Sequence, residues 1–204
     1  MKKDVIQLSD HFTLGRLYRF CLPSIIMMVF TSIYGVVDGY FVSNYVGKTP
    51  FAAVNLIMPF LMILGGVGFM IGTGGSALVA KHLGEKDENQ ARRVFSMMMI
   101  LTLILGVSIS VLGIIFADKV ALLLGADSEM LEYSVIYART CLIFNTMFMF
   151  QNVFQSFLVT AERPKLGLVV IVAAGCTNML LDFLFIAVFQ LGVVGAALAT
   201  GLSQ

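Results

Sequence analysis

The chain has 204 residues, of which 59% are hydrophobic and only 12% are charged, and its mean hydropathy is +0.94. Soluble domains have about 25% charged residues, and one core built from a chain of this length cannot hide so much apolar surface. The composition therefore excludes a soluble globular protein and predicts that lipid is the solvent, while the net charge of +1 gives no reason to expect a nucleic-acid partner.

Five apolar stretches are long enough to cross a membrane, because a bilayer core about 30 Å thick needs roughly 20 helical residues. In chain order they cover about residues 17–42, 51–79, 94–116, 133–159 and 166–189. Pro23 predicts a kink in the first of them. The fold class is thus predicted to be all-α, a polytopic transmembrane helical bundle of about six helices.

The second stretch is rich in glycine, with Gly65, Gly66, Gly68, Gly72, Gly74 and Gly75. Glycine weakens an isolated helix. In a membrane bundle, however, it allows the backbones of neighbouring helices to approach closely. We therefore expect this stretch to pack tightly against another helix.

A sixth stretch begins near Val193 and contains small residues, among them Gly195, Ala197, Ala199 and Gly201. From Gly192 to Gln204 there are 13 residues, too few to cross a bilayer. We expect a truncated sixth span and a chain that is a fragment of a longer protein. The alternative is a naturally short protein with a re-entrant or surface segment at this end.

The distribution of Lys and Arg predicts the orientation of the bundle, because cytoplasmic loops carry an excess of both. With a cytoplasmic N-terminus, the outer segments contain only Lys48, Lys119 and Arg139. The inner segments then contain Lys2, Lys3, Arg16, Arg19, Lys81, Lys86, Arg92, Arg93, Arg163 and Lys165. This bias predicts that the N-terminus is cytoplasmic.

Two aspartates, Asp38 and Asp182, lie inside apolar stretches. A carboxylate in hydrocarbon is costly and usually has a function. At about 1.5 Å per residue, Asp38 lies roughly 27 Å above Phe20, and Asp182 roughly 24 Å above Leu166. The two carboxyl groups are predicted at similar depths in the outer half of the membrane, facing one cavity. The alternatives are a position of Asp38 at a helix end near the headgroups and a purely structural role for Asp182.

Other polar residues recur at helical spacing near these acids. Asn178 and Asp182 are four residues apart and share a helix face, as do Tyr34 and Asp38. A polar stripe in the fourth stretch and a hydroxyl in the sixth complete the set: Tyr137, Asn145, Asn152, Gln155 and Thr200. Each alone is more often an interhelical hydrogen bond than a site, but their arrangement on single faces favours an aqueous cavity.

Carboxylates, amide oxygens, hydroxyls and backbone carbonyls form an all-oxygen set that suits a hard cation such as sodium. A proton on a carboxylate serves equally well. Burial favours the protonated form of a carboxyl group, whereas a bound cation favours the ionised form. A proton and a sodium ion would thus compete for the same site, and these residues do not choose between them.

The chain resembles the N-terminal lobe of the multidrug and toxic compound extrusion (MATE) family, within the multidrug, oligosaccharidyl-lipid and polysaccharide flippase superfamily. The resemblance covers essentially the whole chain, 1–204, as one lobe. It rests on Pro23, on the run VDGYFVSNYVGKTPFAAVNLIMPFLMILGGVGFMIGTGGSALVAKHLGEKD at 37–87, on LLLGADSEMLEYSVIYAR at 122–139 and on ERPKLG at 162–167.

The resemblance implies a twelve-helix protein with two six-helix lobes, whose C-terminal lobe is missing here, that exports organic cations and other drugs from the cell in exchange for protons or sodium. It implies a multi-pass plasma-membrane protein in contact with membrane lipid, with no enzymatic activity and no cofactor beyond the transported ion. The ion-coupling residues that it implies are Asp38, Tyr137, Asn178, Asp182 and Thr200, with the Ala196 carbonyl as an extra ligand. Sodium would bind at Asp38, Asn178, Asp182 and Thr200, and Tyr34, Asn152 and Gln155 would line the substrate cavity.

Three other functions stay open. A lipid-linked oligosaccharide flippase of the same superfamily would be expected to have a more basic cavity, yet no Lys or Arg lies in the apolar centres. An intramembrane aspartyl protease also needs two membrane aspartates, usually one in a Gly-x-Gly-Asp sequence, whereas Asp182 follows Met179-Leu180-Leu181. A channel or structural subunit would conduct ions without exchanging a substrate.

Overall fold

The structure, a computed structural model, describes residues 14–161 and 163–204. Lys2, Lys3 and Glu162, on which the predicted orientation and the resemblance partly rest, lie outside the described residues. All regular elements in the described residues are helical, which confirms the all-α prediction. They are α1 (Leu14–Phe41), α2 (Lys48–Gly84), α3 (Glu88–Leu123), α4 (Leu131–Thr160), α5 (Pro164–Asp182) and α6 (Gly192–Leu202), with π-helical turns at Val42–Val46 and Phe183–Val188.

Most helices are longer than the apolar stretches that predicted them. The second and third have 37 and 36 residues, because a helix continues into polar sequence until something ends it. At the start of α3 the Asp87 side chain accepts a hydrogen bond from the Gln90 backbone N–H at 3.0 Å, which caps the helix. Just beyond α3, Gly125 has a φ of 99°, a left-handed conformation that glycine adopts easily.

Prolines lie within two of the helices without ending them, Pro23 in α1 and Pro59 in α2. The first and fifth helices instead change from α-helical to π-helical geometry at their C-terminal ends. Each passes directly into a π-helical turn, α1 at Val42 and α5 at Phe183. Such turns are rare and are frequently found at functional sites.

Four of the seven glycines of α2 lie at its contact with α4 and α3, which confirms the predicted close packing. A Cβ atom added to Gly68 would lie 2.7 Å from the Met149 Cα, and one added to Gly72 would lie 2.9 Å from the Val153 Cα. Gly65 packs on the Phe148 ring, and Gly75 packs on the Met98 and Phe157 side chains. Gly66 and Gly74 have nothing within 4 Å of such an atom. One face of α2 therefore meets α4 at backbone distance.

The other contacts divide the bundle into a larger and a smaller group. The fourth helix joins α2 and α3 on one side and α6 on the other, while α1 packs mainly on α5. A buried cluster near the C-terminal end of α1 connects these helices and includes Val42, Ile57, Tyr137, Ile186 and Ala196. This cluster brings together residues of α2, α3, α4 and α6 and of the π-helical turns that follow α1 and α5.

The outside of the bundle is apolar. Large hydrophobic side chains are exposed along the length of several helices, for example Met62, Ile63 and Met70 on α2 and Ile104 and Ile115 on α3. Five helical segments of the described chain are long and apolar enough to cross a membrane, whereas α6, with 11 residues, is not. The exposed apolar surface is what lipid would cover, as the composition predicts.

Candidate functional site

The site consists first of two buried acids at matching positions on neighbouring helices. Asp38 lies one helical turn before Val42, where the π-helical turn after α1 begins, and it is 5% exposed. Asp182 is the last residue of α5 and is 0% exposed. Ordinary charged side chains are almost never buried to this extent without a partner. Helix periodicity explains the placement, because both residues lie on the faces through which their helices pack.

The structure brings the two carboxyl groups together. They lie close enough for each to act electrostatically on the other, and an ionised carboxylate can only accept hydrogen bonds. Within the described residues, no nitrogen or hydroxyl donor reaches Oδ1 of Asp38 or either carboxyl oxygen of Asp182. Two adjacent carboxylates repel each other, so this pair is suited to hold one positive charge between its members.

Asn178 lies one helical turn before Asp182 and is also buried. Neither its Oδ1 nor its Nδ2 has a hydrogen-bond partner among the described residues. Buried amides are normally hydrogen-bonded because an unsatisfied polar group costs about 1–3 kcal/mol. Asn178 and both acids thus carry buried oxygens that have no donor among the described residues, and Asn178 and Asp182 share one face of α5.

Tyr137 approaches this group from α4. Its side chain is buried in the core cluster and lies within electrostatic range of both Asp38 and Asp182. Its hydroxyl donates a hydrogen bond to the Met58 Sδ of α2 at 3.9 Å, and Cys141 lies one turn further along the same face of α4. A thioether is a weak acceptor, so the hydroxyl is held in place without being strongly bound.

Replacing Tyr137 by phenylalanine is expected to change the free energy of unfolding by less than about 1 kcal/mol, because only one weak hydrogen bond is lost. Replacing it by alanine should cost about 3–5 kcal/mol, since a large buried ring is removed. Thermal denaturation of the purified variants in one detergent measures both changes. Equal losses for the two variants would show that the hydroxyl, rather than the ring, supports the fold.

The sixth helix contributes two positions. Ala196 is buried in the same cluster as Tyr137, and Thr200, one turn further, is half-buried. The small residues of α6 allow this approach, because Gly201 packs directly on the Phe144 ring of α4. Five of the predicted ion-coupling residues are therefore buried in the bundle, and Thr200 lies on the same helix as one of them.

The residues predicted to line a substrate cavity are more dispersed. Tyr34 is half-buried one turn before Asp38, where it packs near Phe30 and Gly175. Asn152 donates to the Phe148 carbonyl of its own helix at 3.0 Å, and Gln155 donates to the Met27 Sδ at 3.7 Å.

Gln155 lies 18 residues beyond Tyr137 on α4, about 27 Å along the helix. The predicted polar stripe of α4 thus spans two distant regions. Asn145 lies between them, and its amide donates to the Met149 Sδ at 3.7 Å. In the structure, Asn152 and Gln155 do not join the acids.

Two residues near the acids were not predicted from the sequence. Cys141 could have been found by its position four residues after Tyr137, which places both on one helix face. Met58 had no comparable signal, because it lies on another helix and methionine is common in this chain. No group of three or more His, Cys, Asp or Glu suited to a metal occurs in the described part of the chain.

A buried acid pair inside a bundle of long apolar helices is typical of multi-pass membrane transporters. The MatE family model matches residues 23–184, and the chain belongs to this family. The chain is also 29% identical over 186 residues to the multidrug export protein MepA of Staphylococcus saprophyticus, and 28% identical to MepA of Staphylococcus aureus MRSA252. Each match covers 91% of this chain and 41% of the relative.

The chain is also similar to solved structures of a MATE protein and of a MOP superfamily transporter. A MATE protein crystallised in the straight conformation is 33% identical, with a TM-score of 0.84 over 91% of this chain and 41% of that one. A MOP superfamily transporter from Pyrococcus furiosus, described as having a binding pocket of reverse polarity that suggests a different function, is 33% identical with a TM-score of 0.82 and the same coverage.

These comparisons confirm the resemblance stated from the sequence. The protein is a multi-pass protein of the plasma membrane and belongs to a family of transporters. The chain spans about two fifths of the length of the relatives that it matches.

Proposed function

We propose that this chain is the N-terminal lobe of a two-lobe multidrug efflux antiporter, in which Asp38 and Asp182 bind the coupling ion. The MepA relatives are multidrug export proteins, and the chain corresponds to about two fifths of their length. Transporters of this architecture bind substrate and ion near repeat interfaces and rock one lobe against the other. The second lobe is therefore a required partner in this proposal.

One observation carries the proposal: the two buried carboxyl groups approach each other with no donor from the described residues. A structural pair would be expected to have hydrogen bonds to neighbouring groups, because an uncompensated buried charge costs several kcal/mol. A proton shared by the carboxyl groups removes the repulsion, and so does a sodium ion between them. The arrangement is therefore suited to reversible occupation by a monovalent cation.

The family resemblance implies the ligands of the ion. Asp38, Asn178, Asp182 and Thr200 offer the oxygen atoms that a sodium ion prefers, with the Ala196 carbonyl as an additional ligand. Tyr137 closes the α4 side of the group, and its hydroxyl can turn from Met58 towards a bound ion. These residues come from α1, α4, α5 and α6, so binding would draw four helices together.

The coupling to drug transport then follows from differential affinity. An ion can drive a conformational change only if it binds one conformation more tightly than the other. Binding at Asp38 and Asp182 would favour a conformation that releases drug outward. Drugs would lie in a cavity that Tyr34, Asn152 and Gln155 help to line in the two-lobe protein.

The direct test is ion binding by the purified chain in detergent, measured with radioactive sodium and with proton uptake in weakly buffered solution. If sodium is the ion, binding should saturate and should weaken as acid is added, because protons then occupy the carboxyl groups. If the proton is the ion, proton uptake should occur without sodium binding. A chain that binds neither ion contradicts the proposed site.

Transport assays in a two-lobe protein that contains this chain separate the remaining alternatives. Ethidium efflux driven by an ion gradient is the result expected for a multidrug antiporter. Translocation of a lipid-linked sugar without ethidium efflux would instead indicate a flippase, and ion conductance without substrate exchange would indicate a channel.

A further inference from the structure

The start of α3 carries a recess on the surface of the bundle, away from the acids. Its volume is about 430 Å³, and its lining residues are Asn89, Arg92, Arg93, Ser96, Met97 and Ile100. Their spacing of three or four residues places them along one face of the helix. The first four are polar and the last two are apolar, so the recess changes from cationic to hydrophobic along its length.

Among the described residues, the positive charge of the recess is only partly neutralised. Arg93 has no acidic side chain within ion-pair distance in the described part of the chain, whereas Arg92 lies 3.7 Å from Glu88. Both members of that pair are largely exposed, and exposed pairs contribute about 0–1 kcal/mol and exchange easily. Two guanidinium groups with one weakly held acid therefore leave a net attraction for an anion.

The level of the recess relative to the membrane indicates the kind of anion that it would bind. Between Arg93 and Asp118 the helix has no charged residue. The uncharged segment Val94–Ala117 is about 36 Å long at 1.5 Å per residue, enough to cross a hydrocarbon core of about 30 Å. The arginines thus lie at the level of lipid headgroups, and the exposed Met97, Ile100 and Ile104 lie at the level of acyl chains.

We propose that this recess is a binding site for one anionic phospholipid. Arg92 and Arg93 bind its phosphate, since the planar guanidinium matches a phosphate through two parallel hydrogen bonds. Asn89 and Ser96 offer further polar contacts to the headgroup, and the acyl chains lie along Met97, Ile100 and Ile104. The net negative charge of the lipid distinguishes it from a zwitterionic one, which carries its own cation beside the phosphate.

The predicted orientation places this site in the cytoplasmic leaflet, where anionic lipids attract basic residues near the membrane surface. The site is separate from the proposed ion site, so it can be tested whether or not the chain transports anything.

The test is native mass spectrometry of the purified full chain, titrated with phosphatidylglycerol and with phosphatidylcholine. Wild-type chain should bind one phosphatidylglycerol in clear preference to phosphatidylcholine. Each arginine near a membrane surface contributes about fivefold to anionic-lipid affinity, so the R92Q/R93Q double variant should lose roughly 25-fold in phosphatidylglycerol affinity. Its affinity for phosphatidylcholine should stay unchanged.

The matched control is K81Q/K86Q, which removes the same charge from the α2–α3 end of the bundle but does not line the recess. It should lose much less phosphatidylglycerol affinity than R92Q/R93Q does, because neither lysine lines the recess. Size-exclusion profiles and helical content show that each variant is folded, and the single variant R93Q provides the measurement if the double variant aggregates.

Three outcomes would overturn the proposal. Unchanged lipid binding by R92Q/R93Q would show that the arginines do not form the site. Equal losses in the two double variants would show a general charge effect instead of a local one. If millimolar inorganic phosphate displaces phosphatidylglycerol and the acyl chains add nothing to the affinity, the recess is a site for free anions.

Discussion

Replacing Asp182 by asparagine is expected to abolish ion binding while leaving the helical bundle intact. Asparagine has the same shape as aspartate, but it carries no charge and cannot take up the proton. Losing one partner of a buried charge-assisted contact costs about 3 kcal/mol, more than a 100-fold loss of affinity. In a two-lobe transporter that contains this chain, ion-driven ethidium efflux should cease.

The same substitution should not destabilise the unloaded chain. Two neighbouring buried carboxyl groups without donors oppose folding, so their removal is neutral or stabilising. Thermal denaturation without added sodium should give an equal or higher melting temperature for D182N than for wild type. Ion binding and stability are thus expected to change in opposite directions, which a merely damaged protein would not show.

Asp118 offers the matched control, because its exposed carboxylate pairs with Arg139 at 2.6 Å on the surface. Replacing Asp118 by asparagine also removes one negative charge, yet it should leave ion binding unchanged. D38N should reproduce the loss seen for D182N. Wild-type ion binding by either D38N or D182N would falsify the assignment of the acid pair as the site.

Replacing Gly68 by valine is expected to disrupt the contact between α2 and α4 and to prevent stable folding. A Cβ at this position would lie 2.7 Å from the Met149 Cα and 2.8 Å from the Met149 carbonyl oxygen. Backbone atoms cannot move aside as the end of a flexible side chain can. Overpacking a well-filled contact typically costs about 1–3 kcal/mol, and the rigid, branched side chain of valine should exceed this range.

Gly74 supplies the control on the same helix, because nothing lies within 4 Å of a Cβ added there. G74V places an identical side chain on an open face and should change the melting temperature little. Comparing the two variants by size-exclusion chromatography and thermal denaturation separates packing from the intrinsic helical preference of valine. Equal behaviour of G68V and G74V would mean that α2 and α4 are not in close contact.

Much of the fold could be predicted from the sequence, because in a membrane protein the length of an apolar stretch indicates whether it forms a membrane-spanning helix. A segment that must satisfy all its backbone groups in hydrocarbon forms a helix, so the five long stretches identified five helices. The close packing of α2 was predictable for the same reason, since Gly68 and Gly72 leave room that only another backbone can fill. The acids Asp38 and Asp182 stood out because charge is rare in such segments.

The remainder depends on information that a single sequence does not contain. Helix ends lie beyond the apolar stretches, where capping by Asp87 and the left-handed Gly125 decide them. The polar stripe of α4 looked continuous because helical spacing shows which side chains share a face of one helix. It does not show which other helices those side chains contact. Only packing shows that Tyr137 meets α2 at Met58 while Gln155 meets α1 at Met27.

The rare backbone turns that follow the two acids have a consequence for access. One helical turn beyond Asp38 lies Val42, and one turn beyond Asp182 lies Ile186, both buried in the same cluster. Both side chains belong to the π-helical turns, so buried apolar groups border the acids on that side. A hydrated ion that reached the acids from there would have to pass these two side chains.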